Sequence, residues 1–194
     1  IRFTSLAAPQ TARTLLAPIR DAAPTLLDTI HVLPYSKIGT IHGDPTHPMP
    51  VANGAAPLSA LGADAVASLL AAEDLAGDKP LSSVEIRTLG PAARRAPTSG
   101  DAVGGREAAH LLNVYAAPDP ALSDGARLDA VRAVLTAVDA WRAPVNLVNF
   151  VGRANDAEAI VHSWTPDQND RLDAIRTAHD PEVMFPFARH TRLG

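Results

Sequence analysis

Apolar residues recur along this chain at two different spacings, and each spacing predicts a different element. From Leu122 to Trp141, Leu128, Val131, Leu135 and Val138 return every three or four positions, with Asp129 and Arg132 between them. That period predicts an amphipathic helix. A shorter helix is expected from Pro9 to Arg20, where Pro9 suits the first helical position and Leu15, Leu16 and Ile19 share a face. Pro18 falls in its last turn. Another is expected from Ala63 to Glu73, with Val66, Leu69 and Leu70 at helical spacing. The fourth opens on Thr165-Pro166-Asp167-Gln168, a cap, a first-turn proline, an acid and a glutamine at the third position. Leu172 and Ile175 are expected to face inward, and Asp180-Pro181 ends the helix, because a residue before proline avoids the helical region.

Alternation with period two predicts strands. Ser82 to Leu89 places Val84, Ile86 and Thr88 on one face and Glu85 and Arg87 on the other. Lys37 to His42, Ala109 to Ala116 and Val145 to Val151 are three further candidates. Gly43 to Pro57 and Gly90 to Gly105 read as Gly/Pro-rich connections. The elements do not alternate as βαβ units. The expectation is a single α+β domain over residues 1–194: a largely antiparallel sheet with helices packed on one face.

Composition adjusts this picture. Apolar residues make up 46% of the chain but aromatics only 4%, so the core must rest on Leu, Val and Ile among many alanines. A net charge of -4 without a long basic run argues against nucleic acid and anionic membranes as partners. There is no cysteine, which excludes disulfides and thiolate metal sites and suits a cytoplasmic setting. Neither a spanning helix nor a signal peptide is visible. The chain starts at Ile1, and Arg2-Phe3-Thr4 reads as a strand end. The expectation is a fragment, with apolar surface exposed where the rest belongs.

Four groups of residues could carry chemistry. His42, Asp44 and His47 lie within six residues, a donor set suited to zinc or iron, though the flanking prolines fit a surface or pocket-lining loop equally. Gly104-Gly105-Arg106 precedes a strand, so it is no phosphate loop; it is a turn, or it fixes Arg106 near an anion. Asn113 and Tyr115 share one strand face, with His110 opposite, and Tyr115 could move a proton. Asn146 and Asn149 sit in an apolar run and need partners if buried. No Gly-x-Ser-x-Gly elbow is present to support hydrolase chemistry.

Five blocks, in order, resemble the C-terminal half of FAD-linked oxidoreductases of the vanillyl-alcohol-oxidase/p-cresol-methylhydroxylase type with a berberine-bridge-like C-terminus. They are Gly39-Thr40-Ile41-His42-Gly43-Asp44-Pro45-Thr46-His47-Pro48-Met49-Pro50, Val84-Glu85-Ile86-Arg87-Thr88-Leu89-Gly90, Ala102-Val103-Gly104-Gly105-Arg106-Glu107-Ala108-Ala109, Val148-Asn149-Phe150-Val151-Gly152, and Arg171-Leu172 through His179-Asp180-Pro181-Glu182-Val183-Met184-Phe185. The likeness runs from about Phe3 to Thr191, with the berberine-bridge-like segment over about 145–194. It implies a substrate domain, incomplete without an N-terminal FAD-binding domain, that passes a substrate hydride to flavin N5. By the resemblance, Asn149, Phe150, Arg106 and His190 contact FAD, Asn113 contacts a small-molecule substrate, and Tyr115 and His42 are the catalytic candidates. Leu147 stands where relatives often have tyrosine, and the closing Asn-x-Asn pattern is replaced. Two alternatives stay open: a non-catalytic remnant or stand-alone binding domain, and a metal-dependent enzyme using His42, Asp44 and His47.

Overall fold

In the computed structural model, residues 3–41, 46–76, 81–155 and 157–185 are described. The chain divides into two compact units, Ile1–Pro48 and Met49–Gly194. The first holds helix α1 (Pro9–Asp21) and a 3-10 turn at Tyr35–Thr40. Leu16 is buried on α1, whereas Leu15 and Ile19 are exposed. The turn stands where the strand expected from Lys37 to His42 would begin; His42 lies outside the described residues. Pro34 is followed by a bond from the Lys37 amide to its carbonyl, and the Thr40 hydroxyl donates back to the Lys37 carbonyl at 2.7 Å. These local bonds compete with extended backbone.

The second unit has the α+β architecture. Three antiparallel strands, β1 (Ala52–Leu58), β2 (Ser83–Thr88) and β3 (His110–Ala116), lie in the order β1-β3-β2. Helices α2 (Ala63–Ala76) and α4 (Asp124–Thr136) cover one face, while the short α3 (Pro91–Arg94) and α5 (Pro166–His179) stand in the later connections. The core joins Ala52, Ala56, Leu58, Leu112 and Val114 of the sheet to Leu69 and Ala72 of α2 and to Val131, Val134, Leu135 and Val138. The helical period read in the sequence is therefore the one buried. On α2 the buried stripe is Ala65, Leu69 and Ala72; Val66 and Leu70 are exposed.

Strand β1 falls inside the segment expected to be a connection. Its sequence, Ala-Asn-Gly-Ala-Ala-Pro-Leu, has no alternation to find, because it is buried on both faces. Small residues are needed there: a Cβ on Gly54 would sit 2.7 Å from Leu135 Cδ1 of α4. Pro57 is tolerated because its missing amide lies on the outer edge.

That outer edge is closed by the chain itself. The Ala55 amide donates to Asn155 Oδ1 at 3.1 Å, and Asn155 Nδ2 donates to the Ala55 carbonyl at 3.0 Å. The Ala154 amide reaches the Asn53 carbonyl, the Ala143 amide reaches Pro57, and the Ser59 amide reaches Trp141. An edge strand so covered cannot template further pairing.

Val145 to Val151, expected as a strand, is instead a series of turns. The Phe150 and Val151 amides bond three residues back, and Val148–Phe150 is a 3-10 turn. A short apolar run does not by itself distinguish a strand from a buried turn. The capping box of α5 is present as expected: Thr165 accepts from the Gln168 amide and Gln168 returns the bond. On that helix Leu172 is half-buried but Ile175 is exposed, and Asp180 caps the end by accepting the Met184 and Phe185 amides.

Candidate functional site on the second face of the sheet

Strand register decides which side chains share the face away from α2 and α4. Asn53 pairs with Tyr115, and Tyr115 with Ser83; Ala55 pairs with Asn113, and Asn113 with Glu85; Pro57 pairs with Leu111, and Leu111 with Arg87. Directly paired residues point the same way. The second face therefore carries Asn53, Ser83, Glu85, Arg87, Asn113 and Tyr115, while Val84, Ile86, Thr88 and His110 point toward the helices. The sequence alternation placed these groups correctly, and it brings Asn113 and Tyr115 together.

A turn segment meets this face at two points. The Phe150 ring lies under Arg87, whose guanidinium carbon is 5.3 Å from the ring centroid, a cation–π distance. Two residues on, Gly152 abuts Asn53 so closely that a Cβ would sit 2.4 Å from the Asn53 carbonyl oxygen and 2.7 Å from its Nδ2. Phe150 thus meets the β2 side of this face, and Gly152 abuts β1 at Asn53. Asn113, on the central strand, is only 2% exposed.

Asn113 is the unusual member. Its Nδ2 is buried without a hydrogen-bond partner. An amide donor shut away from water costs about 1–3 kcal/mol when unmatched; among the described residues Arg106 Nε, Arg127 Nε and Asn169 Oδ1 are likewise buried without a partner. Tyr115 beside it is half-buried. Glu85 and Arg87 form an ion pair at 3.0 Å. The hydrogen bond that Arg87 donates to Glu85 raises the Arg87 pKa, with the charge of Glu85 and the nearby Tyr115 adding to it.

The other predicted residues are placed apart from this pair. Asn149 sits in the 3-10 turn with its side chain exposed, next to half-buried Phe150. Asn146 is buried and already satisfied, donating to the Ala159 carbonyl at 2.9 Å. Arg106 is a loop staple: its guanidinium donates to the Ala93 and Arg95 carbonyls and to Asp101. Gly105, at φ +74°, supplies the left-handed turn just before it. His47 is exposed; His42, Asp44 and His190 lie outside the described residues. Among the described residues no three His, Asp or Glu side chains gather as metal ligands.

Sequence reasoning missed Asn53 and Asn155. Asn53 fell in the presumed connection, and neither has a spacing that marks it. A cleft of about 710 Å³ lies elsewhere, lined by Arg132, Arg142, Asn155 and His162 among others. Both arginines there are already paired, with Asp129 and Asp139. No protein-family model matches this sequence, and no curated protein matches it either. Among the described residues no helix is long and apolar enough to cross a membrane.

Proposed function

We propose that this chain is the substrate-facing part of an FAD-dependent oxidoreductase of the berberine-bridge-like type, working with a separate FAD-binding domain. The observation that carries the reading is the free donor of Asn113, buried on a polar sheet face beside Tyr115. A buried donor kept without a protein partner is suited to a ligand oxygen.

In this reading Asn113 Nδ2 donates to a substrate oxygen and orients it. Tyr115, one alternate position along the strand, exchanges the substrate proton at its hydroxyl. Asn149 and Phe150, on the turn that meets this face at Arg87, are the residues fit to line a flavin ring, with the exposed Asn149 side chain able to hydrogen-bond it. FAD, when bound, accepts the hydride; the protein contributes orientation and electrostatics. Arg106 fits a cofactor role less well, since its terminal nitrogens are spent on loop 93–101. Asn113 is buried, so in this reading a ligand reaches it only if the groups around it yield. The cysteine-free composition supports a cytoplasmic setting.

A fluorescence titration of this chain with FAD tests the division of labour. The expected result is no tight binding, because the residues placed here form only one wall. Stoichiometric FAD retained by the chain through purification would overturn it.

A further inference from the structure

The two outer edges of the sheet are treated differently. Asn155 binds both the N–H and the C=O of Ala55, so both groups of that residue point outward, as they do at alternate positions along a strand. The even residues of β1 therefore bond β3, the odd residues of β3 bond β2, and the even residues of β2 point outward. No described residue bonds the outward backbone of Val84, Ile86 or Thr88. Ile86 is 39% exposed although it sits on the helix side, because the main helix, α4, lies over β1 and β3.

We propose that β2 is a dimerisation edge that pairs antiparallel with β2 of a second copy of this chain, on a two-fold axis through Ile86. The sequence of the strand is self-complementary about that residue. Ile86 meets the partner's Ile86 in a mutually hydrogen-bonded pair. Val84 faces the partner's Thr88. On the other face Glu85 lies directly opposite the partner's Arg87, and Arg87 opposite the partner's Glu85. These charged pairs occupy non-hydrogen-bonded positions, where side chains approach most closely. A strand with the same charge at both places would repel itself; this one attracts itself twice. The isologous arrangement closes after two copies and makes one six-stranded sheet, because the β1 edges are already covered.

Light scattering and sedimentation of the chain across about 1–100 µM test the proposal. The wild-type chain is expected to dimerise. E85R places like charges at both cross-pairs, as does R87E, and each is expected to weaken dimerisation on the order of tenfold or more, with circular dichroism unchanged. Mixing the E85R and R87E chains should restore a heterodimer, since every cross-pair is then opposite in charge. The pair within each chain stays broken in that mixture, so recovery reads only the contact between chains. Ile86→Lys should abolish pairing in all mixtures. A chain that stays monomeric throughout, a dimer indifferent to E85R, or a mixture that does not pair would overturn the proposal.

Discussion

Replacing Asn155 with alanine probes how the outer edge of β1 is held where no strand pairs with it. The Asn155 amide makes three bonds: Oδ1 accepts from the Ala55 and Gly152 amides, both at 3.1 Å, and Nδ2 donates to the Ala55 carbonyl at 3.0 Å. All three are partly buried, so water replaces them incompletely. At about 1 kcal/mol net per bond, plus part of the penalty for stranded groups, the loss should be about 2–4 kcal/mol. With an m-value near 2 kcal/mol/M, the urea midpoint falls by about 1–2 M and the slope stays constant. Asn155→Asp keeps the acceptor but sets a carboxylate oxygen against the Ala55 carbonyl, so it should not rescue. A loss under about 0.5 kcal/mol would mean that water satisfies the edge as well as Asn155 does, and would refute the reasoning.

Three further outcomes are expected. Gly104→Ala places a Cβ 1.9 Å from the Ser163 carbonyl oxygen and should cost about 2–3 kcal/mol or more in urea denaturation, whereas Gly39→Ala, with nothing within 4 Å, should stay within about 0.5 kcal/mol. Asp124 has a lowered pKa, first through its hydrogen bond from Arg153 and then through the charges of Arg153 and Arg127. Its contribution to stability is thus present above the unfolded value of about 3.9 and lost as pH falls through the lower folded value, so Asp124→Asn should flatten the acid limb of a stability–pH profile. Asn113→Leu removes the stranded donor and should leave stability unchanged within about 1 kcal/mol, or raise it, while flavin reduction by substrate is lost; a marked destabilisation would show that Nδ2 has a structural partner.

The parts of this fold legible in the sequence are those with a strong period or a local chemical signature. The α4 stripe of Val131 and Leu135, the Thr165–Gln168 box and the alternation of Val84 with Glu85 all correspond to real faces. Strand β1 escaped because alanine and glycine, chosen to admit α4 closely, carry no polar alternation. The turns at 145–151 escaped for the opposite reason: Val145, Leu147 and Val151 look like a strand, but the backbone bonds of Leu147 and Val151 are local and the Asn146 amide runs to His162. At the candidate site the shared face of Asn113 and Tyr115 followed from spacing two. That Phe150 meets Arg87, that Gly152 abuts Asn53 and that Asn113 Nδ2 is left without a partner all depend on the tertiary path, which spacing does not carry.

The most direct test of the functional claim is the visible spectrum, with metal analysis, of the polypeptide purified as its gene encodes it. Stoichiometric oxidised flavin, reduced on adding substrate and reduced more slowly in Tyr115→Phe, is the expected result. A protein without flavin, or with a transition metal in its place, would contradict the account.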